Sequence, residues 1–183
     1  MERDLPPLTG RRVRLRRPVT ADAEPRRQLG IDPEIVRMYG GTASGDGTMT
    51  ADQAEQWVCS LLGQEHAWVI ETDRLIGSIR LHSLNKPDRR ANLAIGIDDP
   101  SSLGQGLGPE AVTLVLDYAF GTLGLHRISL RVIAYNARAI RAYEKCGFVV
   151  EGREREAAWV DGRWHDDVLM GLLAHEFRRQ QRD

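Results

Sequence analysis

Residues 91–120 read ANLAIGIDDPSSLGQGLGPEAVTLVLDYAF. The apolar segment 93–97 predicts a strand, and the polar residues 98–100 predict a turn after it. Glycine then recurs at alternate positions, at Gly104, Gly106 and Gly108. Small and apolar residues follow at helical spacing, with Ala111, Val115 and Ala119 on one face. The stretch therefore predicts a strand, a glycine loop and a buried helix in succession.

The junction of the glycine loop with the helix predicts an anion site. Proline suits the first turn of a helix, where its missing N–H is not needed, so we expect the helix to begin at Gly108-Pro109. The free N–H groups and the positive end of the helix dipole favour a phosphate there. For three glycines alone, a flexible connector is the alternative. The spacing is not Gly-x-Gly-x-x-Gly and no Walker lysine follows, which argues against a nicotinamide enzyme and an NTPase.

A second block, NARAIRAYEKCGF at residues 136–148, carries Asn136, then Tyr143, then Gly147-Phe148. Together with the frame Leu103-Gly-Gln-Gly-Leu-Gly108, it resembles the two acyl-CoA segments of the GNAT N-acetyltransferases. The family frame is Gln/Arg-x-x-Gly-x-Gly/Ala. Both glycine positions match, and Leu103 stands where the family has Gln or Arg. The resemblance covers nearly the whole chain. It is strongest to the branch that contains ribosomal-protein N-terminal, spermidine and some aminoglycoside acetyltransferases.

The resemblance implies an α/β (α+β) GNAT fold, with helices on both faces of a mixed, mostly antiparallel central sheet. It implies one domain over residues 1–183, acetyl-CoA as cosubstrate, and no metal. The pantetheine arm is expected beside the central strand, where that strand separates from its neighbour. The residues expected to bind the cofactor are Ile95, Ile97, Gly104, Gln105, Gly106, Leu107, Gly108, Pro109, Asn136 and Tyr143.

The resemblance also implies that Tyr143 is the general acid that protonates the leaving CoA thiolate. Aromatic packing on the sheet is the alternative role for Tyr143, and an N-cap is the alternative role for Asn136. Many relatives carry a glutamate base where this chain has Asn92, which cannot accept a proton. Glu156 is our first candidate for the base, with a solvated strand face or a water relay as alternatives. The other acids and bases on the late strands are Glu154, His165 and Asp166. Cys146 is expected to be a buried bystander.

The acceptor is expected to be a primary amine. Without a strong base, an amine of low pKa is favoured, because neutralising an α-amino group of pKa about 7.7 near pH 7 costs roughly 1 kcal/mol, against roughly 4.6 kcal/mol for a lysine-like amine. Glu34, among the acids of the early helices, and Tyr39 are the candidate acceptor contacts. We therefore expect a small cationic amine such as an aminoglycoside antibiotic. The alternatives are a protein N-terminus and, from another class, a non-catalytic acyl-CoA sensor, which Asn92 and Leu103 favour.

The composition is that of an ordinary globular chain. Its 183 residues suit one core, and the formal net charge of −1 gives no reason to expect nucleic acid or an anionic membrane as partner. Two cysteines do not make a disulfide framework. The N-terminal stretch has no apolar signal region, so we expect a cytoplasmic protein. Relatives often pair through sheet edges or helices, so a homodimer is a candidate assembly.

The remaining elements follow from local patterns. Further strands are predicted at 11–18, 67–71, 75–82, 127–133, 148–150 and 168–173. Asp161-Gly162 predicts a hairpin turn between the late strands. Further helices are predicted after Thr20, after Asp32, after the capping box at Thr50 and Gln53, after Asn136 with Gly147 as its end, and at the end of the chain.

Overall fold

The computed structural model describes residues 5–42 and 45–180. The other residues, which include the start of the N-terminal stretch considered above, lie outside the described part. The strands are β1 (Leu8–Thr9), β2 (Arg14–Arg16), β3 (His66–Glu71), β4 (Leu75–Asn85), β5 (Arg90–Ile97), β6 (Arg127–Ile133), β7 (Val149–Val160) and β8 (Arg163–Leu173). The α-helices are α1 (Ala23–Leu29), α2 (Pro33–Met38), α3 (Ala51–Leu62), α4 (Leu107–Asp117), α5 (Ala137–Lys145) and α6 (Ala174–Gln180).

The strands form one eight-stranded sheet in the order β1-β2-β3-β4-β5-β6-β8-β7. In the described part of the chain, β5 and β6 are the one parallel pair, and the other neighbouring strands are antiparallel. The parallel pair is possible because α4 carries the chain back across the sheet between the two strands. The predicted mixed, mostly antiparallel sheet is confirmed.

Helices cover both faces of the sheet, because alternate residues of each strand point to opposite sides. In β3, Trp68 and Ile70 belong to the large core that α4 and α6 complete. Their neighbours Ala67 and Val69 belong to a smaller cluster with Leu61 of α3. The chain therefore buries two apolar layers, and β5 lies near the middle of the sheet between them.

The capping predictions for the early helices are confirmed. Asp32 accepts a hydrogen bond from the N–H of Ile35 at the start of α2. Thr50 and Gln53 form a reciprocal capping box at the start of α3. Each side chain satisfies a backbone donor that the first helical turn leaves unpaired, which fixes where these helices begin.

Two predicted boundaries were wrong. The strand expected at 11–18 is limited to β2, because the N–H of Gly10 bonds the carbonyl of Val13 and closes a turn. The turn after Val19 is a short 3-10 segment that leads into α1, so Thr20 does not cap an α-helix. The predicted end of α5 is confirmed, because Gly147 follows the C-cap Cys146 with a φ of 97° and its N–H bonds the carbonyl of Glu144.

The start of α4 is a third correction, and it concerns the site. The helix begins at Leu107, with Gly106 as its N-cap in the left-handed conformation. Gly108 and Pro109 lie inside the first turn rather than before it. Proline is tolerated there because the first-turn N–H groups have no partner within the helix.

Gly77 of β4 is a position where the sheet has no room for a side chain. A Cβ at this residue would lie 1.9 Å from the carbonyl oxygen of Gly96 in β5. We expect Gly77→Ala to lower the free energy of unfolding by about 2 kcal/mol, because the two backbones must move apart. Urea denaturation would measure the change. Gly152→Ala is the matched control, since a Cβ there meets nothing within 4 Å. Equal stability of both variants would contradict the prediction.

Candidate active site

A gap opens between the two parallel strands. Pairing of β5 with β6 runs from Arg90–Arg127 to Asn92–Ser129 and ends there. On its other side β5 stays paired with β4 as far as Ile97. Residues 93–97 therefore present an edge of backbone groups that β6 does not pair, and an extended, amide-bearing chain can bind such an edge. The separation that the resemblance implied is present in the structure.

The glycine loop lies at the end of this gap and leads into α4. Gly104 and Gly106 have φ values of 74° and 79°, which residues with a Cβ rarely adopt. The eleven-residue helix α4 then begins at Leu107. The N–H groups of its first turn have no acceptor within the helix, and the helix dipole adds positive potential there. This end of the gap is suited to a phosphate group.

One cavity of about 270 Å³ joins the gap, the glycine loop and α5. Nine of the ten residues predicted to bind the cofactor line this cavity: Ile95, Ile97, Gly104, Gly106, Leu107, Gly108, Pro109, Asn136 and Tyr143. Gln105 is not among its lining residues. The side-chain amide of Gln105 donates through Nε2 to the main-chain carbonyl of Ser101 at 2.6 Å. The main-chain carbonyl of Gln105 accepts a hydrogen bond from the guanidinium of Arg12. The structure thus places Gln105 on the outer side of the loop.

Three cations on α5 also line the cavity and were missed by the motif comparison: Arg138, Arg141 and Lys145. Their spacing of three and then four residues places them on one face of the helix, a signal that the sequence carried. Within residues 5–42 and 45–180, none of them forms an ion pair with a carboxylate. Unpaired cations near a helix N-terminus strengthen the site for a multiply charged anion such as a pyrophosphate.

Tyr143 contributes the phenol of the cavity. Its ring packs edge-on against Phe148, with 6.0 Å between the ring centroids. Burial raises the pKa of Tyr143 to about 12, so the phenol keeps its proton throughout the neutral range. A protonated phenol in this position can donate a proton to an anionic leaving group.

Cys146 is a less suitable reactive group. Burial raises the pKa of its thiol to about 11, and the thiol contacts the carbonyl of Pro109. A thiol that stays protonated is a poor nucleophile. The expected role of Cys146 as a buried bystander agrees with this placement.

Asn136 is a buried connector between two helices. Its Oδ1 accepts from the N–H of Ala139 at 3.0 Å and so caps α5. Its Nδ2 donates to the carbonyl of Met38 at 2.9 Å, at the end of α2. The side chain therefore holds α2 and α5 on opposite sides of the cavity. Its capping role is observed, whereas direct contact with the cofactor stays a prediction.

Tyr39, at the end of α2, reaches over β5. Its hydroxyl donates to the carbonyl of Ile97 at 3.3 Å, and a Cβ at Gly96 would lie 3.0 Å from it. The ring is half exposed, but the hydroxyl is enclosed, and burial together with nearby Asp98 and Tyr143 raises its pKa. Tyr39 and Tyr143 both line the cavity. Glu34, the other predicted acceptor contact, is exposed on the first turn of α2 and is not a lining residue.

Glu156 lies away from the cavity lining. It has a φ of 53° within an irregular part of β7, where the register to β8 shifts between Glu154 and Ala158. Its N–H donates to Asp166, and its side chain is exposed. The proposed role of Glu156 as a base stays a prediction, and Glu156 is not one of the residues that line the cavity.

His82 is a titratable neighbour of Asn92 that the motif comparison missed. The two residues are directly opposite in β4 and β5, so their side chains share one face of the sheet. Asn92 is also the last residue of β5 that pairs with β6, at the point where the gap opens. Burial and the charge of Arg80 lower the pKa of His82 below the ordinary histidine value. Its imidazole is therefore mainly neutral at pH 7 and able to accept a proton.

In the described part of the chain, no group of three or more His, Cys, Asp or Glu side chains is arranged to hold a metal ion. None of the helices in that part is long and apolar enough to cross a membrane.

Comparison with known proteins identifies the family. The family described as "Acetyltransferase (GNAT) domain" matches residues 12–149, which is more than half of the chain. The chain therefore belongs to the GNAT family of N-acetyltransferases. Members of this family use acetyl-CoA, and the fold and the cavity are consistent with that cosubstrate: a phosphate-suited loop, unpaired cations and an open strand edge.

Individual relatives agree with this assignment. The spermidine N(1)-acetyltransferase of Vibrio cholerae is 36% identical over 115 residues, which cover 62% of this chain and 66% of that enzyme. The chain thus spans just under two thirds of that relative. The N-acetyltransferase YoaA of Bacillus subtilis is 31% identical over 92% of this chain and 97% of its own length. The crystal structure of the Vibrio enzyme with CoA and spermine has a TM-score of 0.77 at 27% identity, and it covers 92% of this chain and 99% of that one.

Proposed function

We propose that this protein transfers the acetyl group of acetyl-CoA directly to the primary amine of a small cationic molecule. The observation that carries the proposal is the single cavity in which the open edge of β5, the glycine loop and Tyr143 meet. In this proposal the β5 edge orients the thioester arm, and the first turn of α4 with the α5 cations binds the phosphates. Holding both reactants in one geometry supplies a large part of the rate enhancement.

Tyr143 is the proposed acid and His82 the proposed base. The amine attacks the thioester carbonyl, the C–S bond breaks, and the phenol of Tyr143 supplies a proton to the departing thiolate. The amine loses a proton to the neutral imidazole of His82, directly or through water. His82 takes the place that the family gives to a carboxylate, because Asn92 cannot accept a proton and His82 lies directly opposite it, where the gap between β5 and β6 opens. Like Glu156, His82 is not one of the residues that line the cavity, so a bound water is the expected link between its imidazole and the amine.

The small-molecule class is supported by two observations. The relatives named for spermidine act on small polyamines by their own descriptions. Tyr39 narrows the acceptor side of the cavity by lying over Gly96, which suits a small amine better than a bulky chain. Within this class an aminoglycoside, whose amino groups have low pKa values, remains our preferred acceptor.

The experiment is to measure thiol release from acetyl-CoA with a panel of amines. The panel would hold aminoglycosides, spermidine and spermine, and short peptides with free N-termini, each with mass-spectrometric detection of the product. We expect turnover with the small cationic amines. Turnover with peptides alone would assign the protein to N-terminal acetylation. Tight acetyl-CoA binding without turnover of any amine would support a non-catalytic sensor.

The pH dependence of kcat tests whether His82 is the general base. A base with a lowered pKa is neutral, and active, above that pKa, and its contribution is lost as the pH falls through it. We therefore expect kcat to fall in a single step at a pH below 6.5, the ordinary histidine value. The step should be absent in His82→Gln, which has a lower kcat throughout. Measuring kcat at saturating acceptor from pH 5 to 9 would show this, and a step that persists in His82→Gln would exclude His82 as the base.

A further inference from the structure

The segment 10–13, which precedes β2, packs against the first turn of α4. The carboxylate of Glu110 accepts hydrogen bonds from the N–H of Arg12 at 2.7 Å and of Val13 at 3.3 Å. The guanidinium of Arg12 pairs with the same carboxylate at 3.3 Å. A Cβ at Gly10 would lie 2.4 Å from Glu110 Oε1, so the segment approaches the helix as closely as glycine allows.

Arg12 makes a second contact, to the glycine loop itself. Its Nη1 donates to the carbonyl oxygen of Gln105 at 2.8 Å, on the side of the loop away from the cavity. A Cβ at Gly106 would lie 3.2 Å from Nη2 of the same guanidinium. Arg12 is not one of the residues that line the cavity, whereas Gly106 is.

The geometry of the peptide bond links these two sides of the loop. In a trans peptide the C=O of one residue and the N–H of the next point in opposite directions. The peptide between Gln105 and Gly106 is trans, as are the others in the described chain. When Arg12 holds the carbonyl of Gln105 outward, the N–H of Gly106 is turned inward, towards the cavity.

We infer that Arg12 is a positioning residue for the donor phosphates. It fixes the Gln105–Gly106 peptide so that the N–H of Gly106 joins the donors of the first α4 turn. Gly106 has a φ of 79°, and a residue without a Cβ adopts positive and negative φ values about equally readily. The glycine alone therefore leaves this peptide free to rotate. The bond to Arg12 removes that freedom before the donor binds. The inference rests on the proposed use of acetyl-CoA.

Arg12→Ala tests the inference through binding as well as turnover. We expect its Kd for CoA, measured by isothermal titration calorimetry, to rise about tenfold, as for the loss of one charge-assisted hydrogen bond. KM for acetyl-CoA should rise with it, while kcat stays unchanged. The melting temperature should change little, because the Arg12–Glu110 pair is largely solvent-exposed on the arginine side. Arg12→Lys should recover most of the affinity, and Arg11→Ala is the matched control.

A truncated donor separates positioning of the phosphate site from a general structural role. Acetyl-pantetheine carries the thioester but no phosphate, so its kcat/KM should be the same for the native protein and for Arg12→Ala. Equal CoA affinity in the two proteins, or an equal loss with acetyl-pantetheine, would overturn the inference. Failure of the native protein to bind CoA would instead overturn the proposed function.

Discussion

Tyr143→Phe should lower kcat about 100-fold and leave the Kd for CoA within about twofold, since general acids contribute on the order of 10² to 10⁴ to rate. The buried phenol is protonated at neutral pH, because its pKa is raised to about 12. Phenylalanine keeps the ring and its edge-on contact with Phe148, so the packing of α5 is retained. The substitution therefore removes the proton donor and little else.

The measurement is steady-state kinetics with the best acceptor of the panel, together with calorimetric titration of CoA. Tyr118→Phe is the matched control, because it removes a phenol from the apolar core rather than from the cavity. An unchanged kcat in Tyr143→Phe would remove Tyr143 from the acid role. An equal loss in Tyr118→Phe would attribute the effect to general loosening of the fold.

Removal of the three cations on α5 that line the cavity should weaken CoA binding by a factor as large as the fall in kcat expected for Tyr143→Phe. We expect the triple variant Arg138→Ala, Arg141→Ala, Lys145→Ala to raise the Kd for CoA about 100-fold, if each partly exposed contact with a phosphate contributes about 1 kcal/mol. The loss should be smaller at high salt, because screening already weakens these contacts in the native protein. The kcat at saturating acetyl-CoA should change much less than KM.

A matched triple variant separates the loss of specific phosphate contacts on α5 from the effect of a more negative net charge on CoA binding. Lys86→Ala, Arg155→Ala, Arg163→Ala removes the same formal charge from exposed positions that do not line the cavity. Its Kd for CoA should stay within about twofold of the native value, because these exposed side chains do not line the cavity and salt screens their charge. Equal weakening by the two triple variants would contradict a specific phosphate site on α5.

The central parts of the site could be predicted because they depend on local backbone chemistry. Gly104 and Gly106 adopt positive φ values, and Asn136 caps a helix, so each leaves a short signal in the sequence. The start of α4 was predicted two residues late. Proline in the first turn does not mark which position of that turn it occupies.

Other parts depend on contacts between distant segments, which one sequence does not contain. Gln105 faces outward because Arg12, far away in the chain, holds its carbonyl. Glu156 lies in an irregular part of β7, and a register shift is not visible in a run of alternating charges. His82 adjoins Asn92 through strand pairing alone. The α5 cations did carry a helical spacing, and a search for charged faces would have found them.

A crystal structure of the protein with CoA would be the decisive test of the proposed acetyl-CoA site. We predict the pyrophosphate on the N–H groups at the start of α4, the pantetheine arm along the open edge of β5, and the sulfur within hydrogen-bonding distance of the Tyr143 hydroxyl. In that complex the carbonyl of Gln105 should still accept from Arg12. A pyrophosphate bound away from the glycine loop, or a sulfur far from Tyr143, would contradict the proposed site.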